Sequence, residues 1–295
     1  MKSRLLLALF LVMGTASAQA FDFGGLIKEV TKQPESAPAD SQQQSKQPRL
    51  MGLLGGTPVE EEIAIGREIA GRLLGASPLV KDRQLQQYIN HVGTWVARQS
   101  DRNDLKWHFG VIESDDINAF AAPGGYILVT KGLYKRLRNE AELAGVLAHE
   151  IGHVIKQHHL KILKQGQLID LGGGLLKQKV GGGGKGQAIG KMIGSGAEIL
   201  ARGLDKNAEY EADRIGVVLA ARAGYDAYAL PSVLQEIGHL SADDNTVSLL
   251  FKTHPHPEKR LLELGDAMDA HADRFEDGKI VADRFYRLQK EKKSR

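Results

Sequence analysis

The sequence predicts an α+β domain, mainly helical, with a small antiparallel sheet set beside a central helix. Three observations predict it. Residues 139–163 carry apolar side chains at helical spacing around a His-Glu-Ile-Gly-His run. Residues 204–224 form a second helical pattern with acidic residues four apart. Between 105 and 130, two β-branched and aromatic stretches are interrupted by Pro123-Gly124-Gly125.

Taken in order, the chain opens with Lys2 and Arg4, an apolar run from Leu5, and small residues around Ala18-Gln19-Ala20. This is the pattern of a secretory signal peptide over residues 1–20, and the run is too short for an ordinary membrane span. The expected location is the periplasm of a Gram-negative bacterium. The chain has no cysteine, which excludes a lipoprotein anchor, disulfides and thiolate metal ligands. Losing Lys2 and Arg4 takes the net charge from +3 to +1, so nothing suggests a nucleic-acid partner.

Residues 21–56 read as a flexible linker, polar and proline-dotted at 31–50, with too little apolar surface to order itself. Order is expected from Thr57, where Thr57-Pro58-Val59-Glu60 combines a capping box with proline at the first helical position. A second helix, about 82–98, follows through Leu85, Ile89, Val92 and Val96. The stretches "LKWHFGVIES" and "NAFAAPGGYILVT" supply the sheet, with Pro123-Gly124 suited to a tight turn. One domain over 57–265, about 210 residues, is large enough for a real core. Residues 266–295 form a helical extension with a basic end.

The central helix opens with Asn139 and Glu142 at capping-box spacing and buries Leu143, Val146, Leu147, Ile151, Val154 and Ile155. Residues four apart on a helix fall within roughly 40° of one face, so His149 and His153 point the same way. Two buried histidines without a partner would be destabilising, and a shared metal ion removes that difficulty. Glu150 stands beside that face, where it can hold a water and take its proton.

A metal site needs a third protein ligand. His159 has the spacing for it, but that arrangement needs glycine at 156 to break the helix. Lys156 is expected to continue the helix, which places His159 about 240° round from His153. His158 and His159 are therefore expected as solvated helix-end residues. The better candidate lies in "LDKNAEYEADRIGVVLAARAG", 56 residues beyond His153. There Glu209 can offer a carboxylate oxygen. Asp213, one turn later, can accept the free ring N–H of a ligating histidine.

HEIGH followed by EYEADRIG resembles the HExxH…ExxxD zinc metallopeptidases, the family of the CAAX prenyl endopeptidase, HtpX, Oma1 and the periplasmic LoiP and BepA. "INAFAAPGGYILVTKGLY" and "THPHPEKR" are similar to further elements of that family, so the resemblance covers roughly residues 58–265. It implies a zincin, gluzincin-like fold with one Zn2+ per chain. His149, His153 and Glu209 would be the ligands, Glu150 the general base and Asp213 the residue orienting a ligand. No tetratricopeptide-like repeat follows, so the compact LoiP-like form fits better than the longer BepA form.

An edge strand in such enzymes pairs with extended substrate backbone, and Asn118, Ala119, Phe120 and Ala121 are the candidates here. His254, held between Thr253 and Pro255 in a rigid loop, can face the metal or the developing oxyanion, and the resemblance adds a role in a closed, latent state. His256 is the weaker candidate, and Arg260 is expected in a structural ion pair.

Residues 172–196 are glycine-rich yet carry Leu175, Leu176, Val180, Ile189, Met192 and Ile193. A flexible loop, a mobile lid and a surface for unfolded chains or membrane all fit. A phosphate-binding loop does not, because no GxxxxGK[ST] occurs. The function these features imply is hydrolysis of peptide bonds in misfolded or misassembled envelope proteins. Polypeptides, membrane and assembly machinery are the expected partners. The alternative is a chaperone or scaffold for outer-membrane proteins, with proteolysis latent or dispensable.

Overall fold

The computed structural model describes residues 56–165, 204–241, 244–269 and 277–288. The expected signal peptide, the expected linker through residue 55 and the glycine-rich stretch 172–196 lie outside the described residues. Helix α1, Val59–Ala76, buries Ile65, Ile69 and Leu73. It corrects the expected capping box. Pro58 itself takes the cap position and its carbonyl accepts from the N–H groups of Glu61 and Glu62, which leaves the Thr57 hydroxyl outside the helix and without a partner. Helix α2, Arg83–Ala97, is capped by Asp82, whose carboxylate accepts from the Leu85 N–H at 3.0 Å.

Three strands follow: β1 His108–Ile112, β2 Ala119–Ala122 and β3 Tyr126–Thr130, in the order β1-β3-β2. Strands β2 and β3 form the antiparallel hairpin around Pro123-Gly124-Gly125, with both glycines at positive φ. Strand β1, however, runs parallel to β3, so the sheet is mixed rather than antiparallel throughout. The cause is the connection 113–118, which carries the chain past β3 so that β2 lands on its far side. The other edge of β1 is closed by side-chain amides of α2: Gln86 bonds to Val111 N–H and C=O, and Asn90 to Phe109 N–H and C=O. That leaves β2 at the opposite edge of the sheet.

Thr130 caps the short helix α3, Lys131–Arg136, and its hydroxyl also binds both backbone groups of Asn118. Helix α4, Glu140–Ile155, packs on β2 and is buried from Glu140 to Val154. Asn139 accepts from the Glu142 N–H at 2.9 Å, while Glu142 binds Arg138 instead of completing a reciprocal box.

The helix does not run on through Lys156. Gln157 adopts φ 54° and gives its side-chain amide to Glu62 at 2.9 Å, and helical structure resumes over 158–165. Glu62 is buried and also receives Gly124 N–H and Arg102, so α1, the hairpin turn and the end of α4 meet on one carboxylate.

Helix α5, Lys206–Arg222, is capped by Asp205 and lies against α4. The approach is close because two contact positions are glycine. A Cβ on Gly216 would stand 3.0 Å from the His149 nitrogen, and one on Gly152 3.1 Å from the Ala212 carbonyl oxygen. Helices α6 (Ala229–Gly238), α7 (Ser248–Thr253) and α8 (Pro257–Asp269) complete this side.

Past α8 the expected helical extension is met only in part. Described residues 277–288 are not helical; Lys279 bridges to Tyr225, Phe285 is buried, and Arg284 reaches Glu140. The anchor is Glu140, a buried carboxylate that also accepts from Tyr88 and Tyr225, each at 2.8 Å.

Candidate metal centre

Four side chains from three elements converge: His149 and His153 on α4, Glu209 on α5, and His254 just past α7. One ligand atom of each lies within 4.8 Å of every other, and all four are buried. The two Nε2 atoms of His149 and His153 are 3.0 Å apart, and carboxylate oxygens of Glu209 lie 3.7 and 3.5 Å from them. Such a set suits a divalent ion. A tetrahedral zinc with nitrogen ligands at about 2.0–2.1 Å would hold its nitrogens roughly 3.3 Å apart. The donors, imidazole nitrogen and carboxylate oxygen, are those zinc takes in hydrolytic sites. Glu150 fits as well: one of its buried oxygens has no hydrogen-bond partner, as a group waiting for a water would.

Each ligand is held from behind. Asp213 Oδ1 is 2.9 Å from His149 Nδ1, which turns Nε2 of that ring inward. Asp213 in turn takes two bonds from Arg260, at 2.6 and 2.8 Å. The same guanidinium lies 3.2 Å from Glu209. Arg260 thus does more than the ion pair expected of it, since it touches both the orienting carboxylate and the ligand carboxylate. His254 Nδ1 is 3.1 Å from Glu209 and its Nε2 is 3.7 Å from Glu150. His256 is exposed at φ 62° and takes no part among the described residues beyond accepting the Arg260 N–H at its carbonyl.

The electrostatics follow from burial and from this charge pattern. Burial raises the Glu150 carboxyl above its usual value, only partly offset by His254 and His149. Burial acts on Glu209 in the same sense, but the charges of His254 and Arg260 outweigh it and hold the carboxyl at about 2. Asp213 is held low against burial by Arg260. His153 is pushed well below the imidazole range by burial and by the neighbouring His149, so it stays neutral and able to ligate.

Of the proposed substrate strand, Ala119, Phe120 and Ala121 lie in β2 and Asn118 immediately precedes it. All four are buried, and Asn118 Oδ1 accepts from the hydroxyl of Thr253, the neighbour of His254. One expectation is overturned. His158 and His159 are buried, not solvated, because the break at Gln157 folds them back under α4. His159 lies with its ring 5.7 Å from that of His153, and burial takes it down to about 3. His158 is bonded to His153 directly.

The profile of peptidase family M48 matches residues 82–267. The chain is 32% identical over 210 residues to the beta-barrel assembly-enhancing protease of Yersinia pestis, covering 69% of this chain and 43% of that protein. It is 31% identical over 222 residues to the protein of the same name from Escherichia coli (strain K12), covering 72% and 45%. It is 30% identical over 172 residues to mitochondrial metalloendopeptidase OMA1 of Arabidopsis thaliana, covering 58% and 33%. The chain thus spans less than half the length of these curated relatives.

Proposed function

The chain belongs to peptidase family M48, and from that premise we propose that it is a zinc-dependent endopeptidase of the bacterial envelope. The observation that carries the reading is the meeting of His149, His153 and Glu209 around one point, with Glu150 beside them and one of its oxygens unpartnered. His149, His153 and Glu209 would hold the ion. When bound, zinc supplies Lewis acidity and lowers the pKa of a water ligand toward ~7.

The remaining work falls to the protein. Glu150, its carboxyl raised by burial, takes the proton of the attacking water and delivers it to the leaving amine. Asp213, itself fixed by Arg260, keeps the proton of His149 on Nδ1 and so frees Nε2 for ligation. Strand β2, at the sheet edge against α4, is where an extended substrate backbone would add along Asn118–Ala121, through Ala119 and Ala121, since Thr130 takes both backbone groups of Asn118.

A periplasmic location rests on the signal-like first 20 residues. No helix among the described residues is long and apolar enough to cross a membrane. Relatives named beta-barrel assembly-enhancing proteases support substrates among misassembled outer-membrane proteins, hence a role in protein quality control.

One observation favours a second, compatible reading. His254 contacts Glu209 and faces Glu150, so it occupies the cluster that a substrate must approach, which suits a latent state. A chaperone or scaffold with dispensable proteolysis is the rival. The test is casein hydrolysis by the full chain beside Glu150→Gln. Cleavage by the wild type alone supports the enzyme, whereas equal cleavage by both would remove Glu150 from the chemistry.

A further inference from the structure

The cluster has a supporting arm that the mechanism above leaves unused. His153 turns Nε2 toward His149 and Glu209, and its other nitrogen, Nδ1, lies 2.9 Å from His158 Nδ1. His158 Nε2 is 3.1 Å from Glu211 Oε2, and the other oxygen of Glu211 takes Lys156 Nζ at 2.6 Å. One placement of protons satisfies the whole row. His153 donates Nδ1–H to His158, and His158 donates Nε2–H to Glu211. The opposite placement puts the His153 proton on Nε2, where no metal could bind.

Resting on the metal reading, we propose that His158 and Glu211 are positioning residues that lock His153 in its ligating tautomer. They do for His153 what Asp213 does for His149. The two arms differ in chemistry: a carboxylate receives the His149 N–H, whereas a neutral imidazole, itself anchored on a carboxylate, receives that of His153.

The arrangement depends on the backbone break. In an unbroken helix, residues five apart sit roughly 140° from each other and their rings could not meet. The left-handed Gln157, held by Glu62, turns His158 back under His153. Glu211 lies between the ligand Glu209 and Asp213, so α5 supplies a ligand, one orienting carboxylate and the anchor of the second arm.

The test is zinc affinity of the metal-stripped full chain, by competition with a chromophoric chelator, in wild type, His158→Phe, His158→Asn and Glu211→Leu. Melting of each stripped chain is followed in parallel. Phenylalanine fills the space without an acceptor; asparagine offers a carbonyl oxygen near the position of Nδ1. The expected result is about 10- to 100-fold weaker zinc binding for His158→Phe and a loss of about three- to tenfold for Glu211→Leu. His158→Asn should recover most of the loss, and the stripped chains should melt together.

Wild-type affinity in both His158→Phe and Glu211→Leu would overturn the proposal. So would a His158→Asn as weak as His158→Phe, because the loss would then come from packing. Should His158→Phe fail to fold, Glu211→Leu, altered at a half-exposed side chain, decides alone. A wild type that takes up no zinc overturns the metal reading itself and this inference with it.

Discussion

Replacing Gly216 by alanine should weaken the metal site while leaving every metal-binding and catalytic side chain in place. An alanine Cβ there would stand 3.0 Å from the backbone nitrogen of His149 and 3.1 Å from its Cα. Ordinary contact begins at 3.4 Å, so α5 must withdraw by about 0.3–0.4 Å, and backbone cannot swing aside as a side chain would. Overpacking of this kind costs about 1–3 kcal/mol. Alanine returns up to about 1 kcal/mol through helix propensity.

The net expectation is a loss of about 0–3 kcal/mol, a fall in Tm of up to several degrees for a domain of this size. The shift also carries Glu209, two turns earlier on α5, away from His149 and His153. That movement uses up most of the roughly 0.5 Å within which ligands must be held, so zinc should bind more weakly, by up to about tenfold. Gly71 is the control. It lies on the same kind of element, α1, with open space where a Cβ would go, so Gly71→Ala should stabilise by about 0.5–1 kcal/mol and leave zinc affinity alone. The assay is thermal melting plus chelator competition on both variants. A Gly216→Ala protein that melts at or above wild type and binds zinc equally would refute the close-approach argument.

Other consequences follow from single contacts. His254→Ala should raise basal casein hydrolysis severalfold if the Glu209–His254–Glu150 contact keeps the site latent; unchanged hydrolysis would count against latency. Glu140→Gln should destabilise by about 2–4 kcal/mol at pH 7, because it removes the charged acceptor of Tyr88, Tyr225 and Arg284. Burial raises the Glu140 carboxyl, but Arg284 and the two tyrosines pull it below its usual value. Its contribution is therefore present above the unfolded pKa of about 4.3 and is lost as pH falls through the lower folded value. Denaturant titrations at pH 7 and pH 3 should show the gap between wild type and Glu140→Gln closing on acidification; a gap that widens would contradict the assignment.

The parts of the site that repeat at helical spacing were legible in the sequence. His149 and His153, then Glu209 and Asp213, each lie one turn apart, and the structure brings both pairs together. The hairpin was legible in Pro123-Gly124-Gly125 for a similar reason: a local φ requirement leaves a local residue signature.

What stayed hidden is set by contacts distant in sequence. Lys156-Gln157 contains no helix breaker, and the turn there is held by Glu62, 95 residues away. Without that contact His158 reads as solvated and its role is invisible. The parallel pairing of β1 depends on where the connection 113–118 sends β2, which alternation of apolar residues does not encode. The non-helical course of 277–288 is likewise set by Glu140 and the buried Phe285, not by local propensity. A clue to His158 did exist: a histidine just beyond a metal-binding helix, followed downstream by a spare acidic residue between two functional ones.

If two helices supply three ligands to one ion, metal stoichiometry should show it. Zinc should be titrated into the metal-stripped full chain, wild type beside His149→Ala, Glu209→Gln and Glu150→Gln, with bound metal counted by elemental analysis. One tightly held zinc per chain is expected in wild type and Glu150→Gln, and loss of tight binding in the other two. Full zinc occupancy in His149→Ala or Glu209→Gln would contradict it.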